Sequence, residues 1–101
     1  MINDIDLGPI EAYEEFPVEV TIDHNTYWLV RCSDYEFRLL NSLCPHAGGE
    51  VRPSHGVLFC PLHFWTFDID NGQCINNPDK RLMKRDVELR FGRLFVVSSD
   101  Y

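Results

Sequence analysis

The sequence lacks the features that mark a membrane or exported protein. None of its 101 residues belongs to an apolar run approaching the 18 or so residues that a membrane span needs. Residues 1–16 are acidic and have neither the basic start nor the apolar stretch of a signal peptide. There is no internal repeat and no low-complexity segment. We therefore expect one small cytoplasmic domain over residues 1–101, with no membrane partner.

Basic residues are also scarce. Nine lysines and arginines stand against 16 acids, which gives a net charge of −7. Residues 1–36 carry −8 of this charge, whereas the remaining residues sum to +1. Because such a surface repels the phosphate backbone, we expect no nucleic-acid partner. An acidic surface favours fast association with a basic protein, although plain solubility explains it equally well.

Helical periodicity is nearly absent, and only residues 9–15 could form a single turn. Instead, apolar residues alternate with polar ones in three consecutive segments, which predicts a meander of antiparallel strands. The inward-facing residues are Val18, Val20 and Ile22, then Trp28, Val30 and Cys32, then Tyr35, Phe37 and Leu39. Asp23-His24-Asn25 predicts the first turn. Residues 87–91 alternate in the same way, and Gly92 predicts a hairpin turn before the apolar residues 94–97.

The middle of the chain has a different character. Residues 44–74 contain four glycines, three prolines and every Cys-His pair. Asp70-Asn71-Gly72 predicts a hairpin with a type I′ turn that joins residues 64–69 to residues 73–75. The patterns together predict an all-β domain with a small, turn-rich subdomain at one end.

Two short motifs in this middle segment pair a cysteine with a histidine. They are Cys44-Pro45-His46 and, after 13 intervening residues, Cys60-Pro61-Leu62-His63. The proline after each cysteine fixes one backbone angle and removes a backbone donor. Gly48-Gly49 let the first loop bend close to whatever it holds. Two loops with matching thiolate and imidazole donors can face each other across one site.

Four interpretations of these motifs compete. Zinc accepts two cysteines and two histidines, but its usual spacings group like ligands, and C-x-H is too tight for them. A thiol nucleophile needs one Cys-His pair and an orienting residue, so the duplication would serve no purpose. A purely structural role is the default for a lone pair and suits two matching pairs poorly. The last interpretation is an iron–sulfur centre in which two histidines replace two cysteines on one iron.

Further residues accompany the motifs: Gly48-Gly49 after the first, then Trp65, Phe67-Asp68 and Asn71-Gly72-Gln73-Cys74 after the second. With them, most of the chain resembles the Rieske [2Fe-2S] ferredoxin family. The resemblance implies the Rieske fold, an antiparallel β-sandwich with a cluster-binding subdomain inserted at about residues 43–76. It also implies a Rieske-type [2Fe-2S] cluster. Cys44 and Cys60 would bind one iron, and His46 and His63 the other.

The resemblance also implies a function. A chain of this length has no room for the mononuclear iron domain of an oxygenase, so the protein is expected to carry electrons rather than to catalyse a reaction. It would be a monomer that takes one electron from a flavin-dependent reductase and passes it to a terminal oxygenase. The alternative is a cluster-bearing small subunit of a larger oxidoreductase complex, such as a nitrite reductase.

Four positions bear on the reduction potential that the resemblance implies. High-potential relatives have a disulfide at the positions of Gly49 and Leu62, and cluster-facing hydroxyls at the positions of Trp65 and Phe67. This chain has neither feature. Because hydrogen bonds to sulfur stabilise the reduced centre, we expect a potential near the lower end of the Rieske range.

The sequence departs from the family pattern in two places. The 13-residue stretch between the motifs is shorter than is usual there, and Phe64 stands where glycine is usual. Phe64 could limit water at the site, contact a redox partner or pack against the shortened loop.

The remaining candidates are expected to lie outside the ligand set. Cys32 and Cys74 are predicted to pack in the core, and His24 and His55 to lie in exposed loops. The resemblance implies that the loop containing Pro78 covers the cluster.

Overall fold

A computed structural model of the chain describes residues 4–45, 49–62 and 64–97. In this part of the chain there are nine strands, a short 3₁₀ turn and no helix that could cross a membrane. The all-β prediction is therefore confirmed. The strands are β1 (Ile5–Pro9), β2 (Val18–Ile22), β3 (Asn25–Arg31), β4 (Phe37–Asn41), β5 (Arg52–Ser54), β6 (Val57–Phe59), β7 (Thr66–Asp68), β8 (Lys84–Arg90) and β9 (Arg93–Val96). The 3₁₀ turn, Ile10–Ala12, falls within the predicted turn at residues 9–15.

Six strands form one antiparallel sheet in the order β1-β9-β8-β4-β3-β2. Two of its hairpins turn through only two residues, Asp23-His24 and Phe91-Gly92, as the sequence predicted. All four of these residues have positive φ, between 51° and 76°. This geometry matches the right-handed twist of the flanking strands. The first strand of the chain pairs with the last, so that Ile5 lies opposite Val96.

One face of this sheet lines the larger of two cores, which has 16 buried or partly buried members among the described residues against 13 in the other. All six strands contribute to it, and the predicted inward residues of β2 belong to this set. Its buried members are Ile22, Tyr27, Leu29, Phe37, Leu39, Val87, Leu94 and Val96. Because β1 and β2, at opposite edges, both pack against it, the sheet wraps around this core.

The second sheet, β5-β6-β7, lies in the chain between β4 and β8. It packs on the other face of the large sheet and encloses a second core with residues of β3 and β4. The buried residues are Trp28, Val30, Leu40, Cys44, Val51, Leu58, Cys60, Phe67, Cys74 and Leu82. Strand β3 is therefore buried on both faces, which explains its run of large apolar residues.

Two sequence predictions are wrong in detail. Tyr35 does not begin a strand but lies 82% exposed in a turn, because the Cys32 N–H bonds the Glu36 carbonyl across it. The hairpin at Gly72 forms, with Phe67 bridged to Cys74, yet only Gly72 of its turn residues has positive φ. A bond from the Gly72 N–H to the Asp68 carbonyl closes a longer loop, so the turn is not type I′.

Candidate metal centre

The first cysteine loop leaves β4 and returns to β5. Its two sides are joined by a 2.7 Å bond from the Cys44 N–H to the Gly49 carbonyl and by a bridge between Leu43 and Glu50. Cys44 is 1% exposed. The loop is thus held closed by its own backbone, with the thiol directed into the core. The predicted ligand His46 lies outside the described residues.

The second cysteine loop joins β6 to β7. The Cys60 N–H donates to the Trp65 carbonyl at 2.8 Å, and the Phe64 N–H donates to the Cys60 carbonyl at 2.9 Å. Cys60 is fully buried, although Pro61 and Leu62 beside it are exposed. The predicted ligand His63 lies outside the described residues.

The two loops touch at Gly49. A Cβ atom on Gly49 would lie 3.0 Å from the Cys60 Sγ and 2.7 Å from the Leu62 Cδ1, so no side chain fits there. Cys44 and Cys60 also belong to the same core, and neither forms a disulfide. The fold therefore brings the two predicted cysteine ligands together on facing loops, without a disulfide between them.

A buried hydrogen bond anchors the first loop to the large sheet. The Trp28 indole N–H donates to the Val51 carbonyl at 2.9 Å, across 23 residues of sequence. A second bond, from the Val51 N–H to the Ser42 carbonyl at 2.8 Å, fixes the other side of the same residue. The sequence showed only that Trp28 faces inward, so its role in holding this loop could not be deduced from the alternation pattern.

The Asp70 turn is tied to the large sheet as well. Its carbonyl accepts hydrogen bonds from the Arg38 guanidinium and, at 3.6 Å, from the Cys32 thiol. Burial raises the pKa of that thiol, which keeps it protonated as a donor. Cys32 packs against the smaller core but is only half-buried, so the prediction of a buried core thiol is correct about its position and wrong about its depth.

The other cysteine and the loop histidines lie as predicted. Cys74 is buried in the smaller core, and its sulfur accepts a 3.4 Å hydrogen bond from the Asn77 N–H. His24 is exposed in the β2–β3 turn, and His55 is exposed in the β5–β6 turn with its ring 3.0 Å from the Ser54 hydroxyl.

The loop after Cys74 carries the exposed Pro78, whose carbonyl accepts a hydrogen bond from the Gln73 side chain at 3.2 Å. That this loop covers the cluster stays a prediction.

Phe64 has an unusual backbone and an unusual degree of exposure. Its φ of +61° is rare for a bulky residue, and its side chain is 69% exposed. The ring contacts Phe59, with 5.9 Å between centroids. Because so little of the side chain is buried, packing alone does not account for a phenylalanine at this position.

The fold and the facing loops define a small β-protein that presents two buried thiols for a metal centre. The sequence model of the Rieske [2Fe-2S] domain matches residues 6–86, and the chain belongs to this family. Its cofactor is accordingly a Rieske-type [2Fe-2S] cluster.

A characterised protein is similar to this chain in sequence. The ferredoxin component of the alkene monooxygenase system of Xanthobacter autotrophicus is 30% identical over 64 residues, which span 59% of this chain and 52% of that relative. The chain thus matches about half the length of this relative.

Two solved structures share the fold. A chain of the complex of reduced oxygenase and oxidised ferredoxin in carbazole 1,9a-dioxygenase has a TM-score of 0.72 and 17% identity, with 97% of this chain and 95% of that chain covered. A Mycobacterium tuberculosis protein, named as an NADH-dependent nitrite reductase small subunit, has a TM-score of 0.68 and 18% identity, with 98% and 97% covered. At these identities the likeness concerns the fold alone.

The donor set fits the cluster. Cysteine sulfurs outside disulfides are the ligands that iron–sulfur centres require, and here two loops supply one buried cysteine each. Among the described residues, no group of three or more histidines, cysteines or acids is placed to hold a metal ion.

Proposed function

We propose that Cys44 and Cys60 bind one iron of the cluster and that His46 and His63 bind the other. The observation that carries this proposal is the contact at Gly49, which puts the Cys60 sulfur against the loop that begins at Cys44. The cluster-binding unit is the inserted segment at about residues 43–76, within a single domain of residues 1–101.

The residues of this chain hold the centre and limit its contact with water. When bound, the cluster takes up and releases one electron at a time. The two buried cysteines supply its negative ligands, and the bonds that close each loop fix their directions. Trp65 and Phe67 carry no hydroxyl that could donate to a sulfur. We therefore expect a midpoint potential near the lower limit of about −150 mV for Rieske centres.

The protein then carries electrons from a flavin-dependent reductase to a terminal oxygenase. The relative named as a ferredoxin component of a monooxygenase system supports this role, and so does the acidic surface, which favours fast association with basic partners. We infer a reducing compartment such as the cytoplasm, because none of the four cysteines forms a disulfide in the structure. We also propose that the protein is a monomer. The second candidate is a small subunit of a nitrite reductase, favoured by a fold likeness of similar quality.

The ligand assignment is tested with the purified protein. It should be reddish-brown and give the EPR signal of a reduced Rieske centre. His63→Ala should abolish both signals because it removes an iron ligand. His55→Ala, which changes an exposed histidine in the same segment, is the matched control and should keep them. A colourless wild-type protein that contains zinc would disprove the electron-carrier assignment, and an unchanged spectrum in His63→Ala would disprove this ligand set.

The partner is tested by electron transfer. The reduced protein is mixed with a terminal oxygenase or with a nitrite reductase, and its reoxidation is followed by visible absorbance. Reoxidation that depends on oxygen and on the oxygenase substrate is expected. Stable association with a nitrite reductase subunit, without turnover of an oxygenase, would favour the second candidate instead.

A further inference from the structure

The sulfur of Cys60 is buried although a residue two positions further along the chain is exposed. Cys60 has no exposed surface, whereas Leu62 is 60% exposed. Cys60 belongs to the core that contains Leu58 and Phe67, yet its loop also carries exposed apolar side chains at residues 62 and 64. A side chain at the surface can therefore complete the burial of the sulfur.

The geometry at Gly49 identifies that side chain. The place where a Cβ of Gly49 would lie is 2.7 Å from the Cδ1 and 3.0 Å from the Cγ of Leu62. The Cys60 Sγ is 3.0 Å from the same place. Leu62 thus lies at the space that a side chain on Gly49 would fill, and the Cys60 sulfur borders the same space.

Gly49 is required for space rather than for its backbone angles. Among the described residues, the glycines with positive φ are Gly8, Gly56, Gly72 and Gly92, and Gly49 is not one of them. An alanine could adopt the backbone of Gly49, but its methyl group would collide with Leu62. The missing side chain of Gly49 leaves a space, and the side chain of Leu62 fills that space.

We propose that Leu62, packed on Gly49, seals the Cys60 sulfur against water and thereby lowers the reduction potential and slows the loss of the cluster. The proposal rests on the ligand role of Cys60 in the proposed function. Two neutral imidazoles leave the oxidised centre with about zero net charge, and reduction makes it negative. Water beside a sulfur stabilises the negative state by hydrogen bonding, so excluding it disfavours reduction. Opening the seal must raise the potential.

Leu62→Ala in the cluster-loaded protein is the first test. We expect a higher midpoint potential by protein-film voltammetry and a several-fold faster loss of visible absorbance in air. Leu43→Ala is the matched control, because Leu43 precedes the other buried cysteine and is 59% exposed. It should change neither quantity. Leu62→Met keeps about the same side-chain volume, so its midpoint potential and its rate of cluster loss should equal those of the wild type.

Gly49→Ala gives a second, independent test. Its methyl group would lie 2.7 Å from the Leu62 Cδ1 and 3.0 Å from the Cys60 Sγ, so it must displace Leu62 while it crowds the sulfur. This variant should therefore also raise the potential. In the double variant with Leu62→Ala, the same methyl fills part of the vacated space. The two changes should therefore combine to less than the sum of their separate effects.

The outcomes separate this inference from the proposed function. A wild-type protein without a Rieske spectrum contradicts the ligand assignment itself. A normal wild-type spectrum, with the potential of Leu62→Ala unchanged or shifted as much as that of Leu43→Ala, overturns the seal alone. Strictly additive effects of the Gly49 and Leu62 substitutions overturn it as well.

Discussion

Replacing Trp28 with phenylalanine should loosen the first cysteine loop from the sheet that supports it. The substitution removes the indole N–H that donates to the Val51 carbonyl and keeps an aromatic ring in the core. Val51 has no exposed surface, so water cannot reach its carbonyl without opening the loop. A buried acceptor left without a donor costs about 1–3 kcal/mol. The void beside the smaller ring adds about 1 kcal/mol if it does not collapse.

The total loss of about 2–4 kcal/mol is large for a domain of 101 residues. In a domain of this size each kcal/mol lowers Tm by about 4–8 °C, so a drop of about 10 °C or more is expected. The assay is thermal unfolding of the cluster-loaded protein, with all variants heated at the same rate, because bound cofactors make unfolding depend on more than one equilibrium. The loss of visible absorbance at 25 °C is recorded alongside.

Val30→Ala is the control for this substitution. Val30 lies in the same core and is 2% exposed, but its side chain takes no part in the bond to Val51. Truncating this side chain leaves a cavity in the core, which should lower Tm. The cluster should still be lost at about the wild-type rate. Trp28→Phe should speed that loss because it frees the ligand loop. A Tm change of less than about 3 °C, or equal rates of cluster loss in the two variants, would refute the anchoring role.

Three further results are expected. A hydrogen bond from the Gly8 N–H, and then Arg93, hold the pKa of Asp6 below its usual value of 3.8. The carboxylate therefore stabilises the fold above about pH 4, and this contribution is lost as pH falls through the lowered pKa. Asp6→Asn should therefore unfold more readily than wild type at pH 7 and no more readily at pH 2, as measured by urea denaturation. Phe64→Gly and Phe91→Gly each remove an exposed ring at positive φ, and their stabilities should change equally, within about 1 kcal/mol of wild type. Only Phe64→Gly should alter the reduction potential or the rate of electron transfer, and equal effects from Phe91→Gly would show that neither ring acts on the site.

Sequence patterns were sufficient where the cause of the structure is local. Alternation located β2, β3 and β8, and the turns at His24 and Gly92 followed from residues that tolerate positive φ. The same reasoning was wrong for Asn71, because a bond from the Gly72 N–H to the Asp68 carbonyl selects a longer loop. The conformational preference of a turn sequence therefore decides the turn type only where the contacts at the two ends of the hairpin allow it.

Long-range contacts were beyond the reach of these patterns. Nothing in residues 5–9 or 93–96 alone predicts that β1 pairs with β9. The strands β5 and β6 are only three residues long, too short to show alternation. The same holds for the site: the motifs indicate which thiols act together, but the fit of Leu62 on Gly49 depends on how two loops meet in space.

The pairing of β1 with β9 places the first and last strands side by side. Ile5 lies opposite Val96, so a linker could join β9 to β1. New ends could then be opened at the exposed Phe91-Gly92 turn, which lies at the end of the sheet away from both cysteine loops. A domain with adjoining ends can be inserted into another chain or circularly permuted without disturbing its interior. Its electron-carrying loops could thus be moved between larger proteins as one unit.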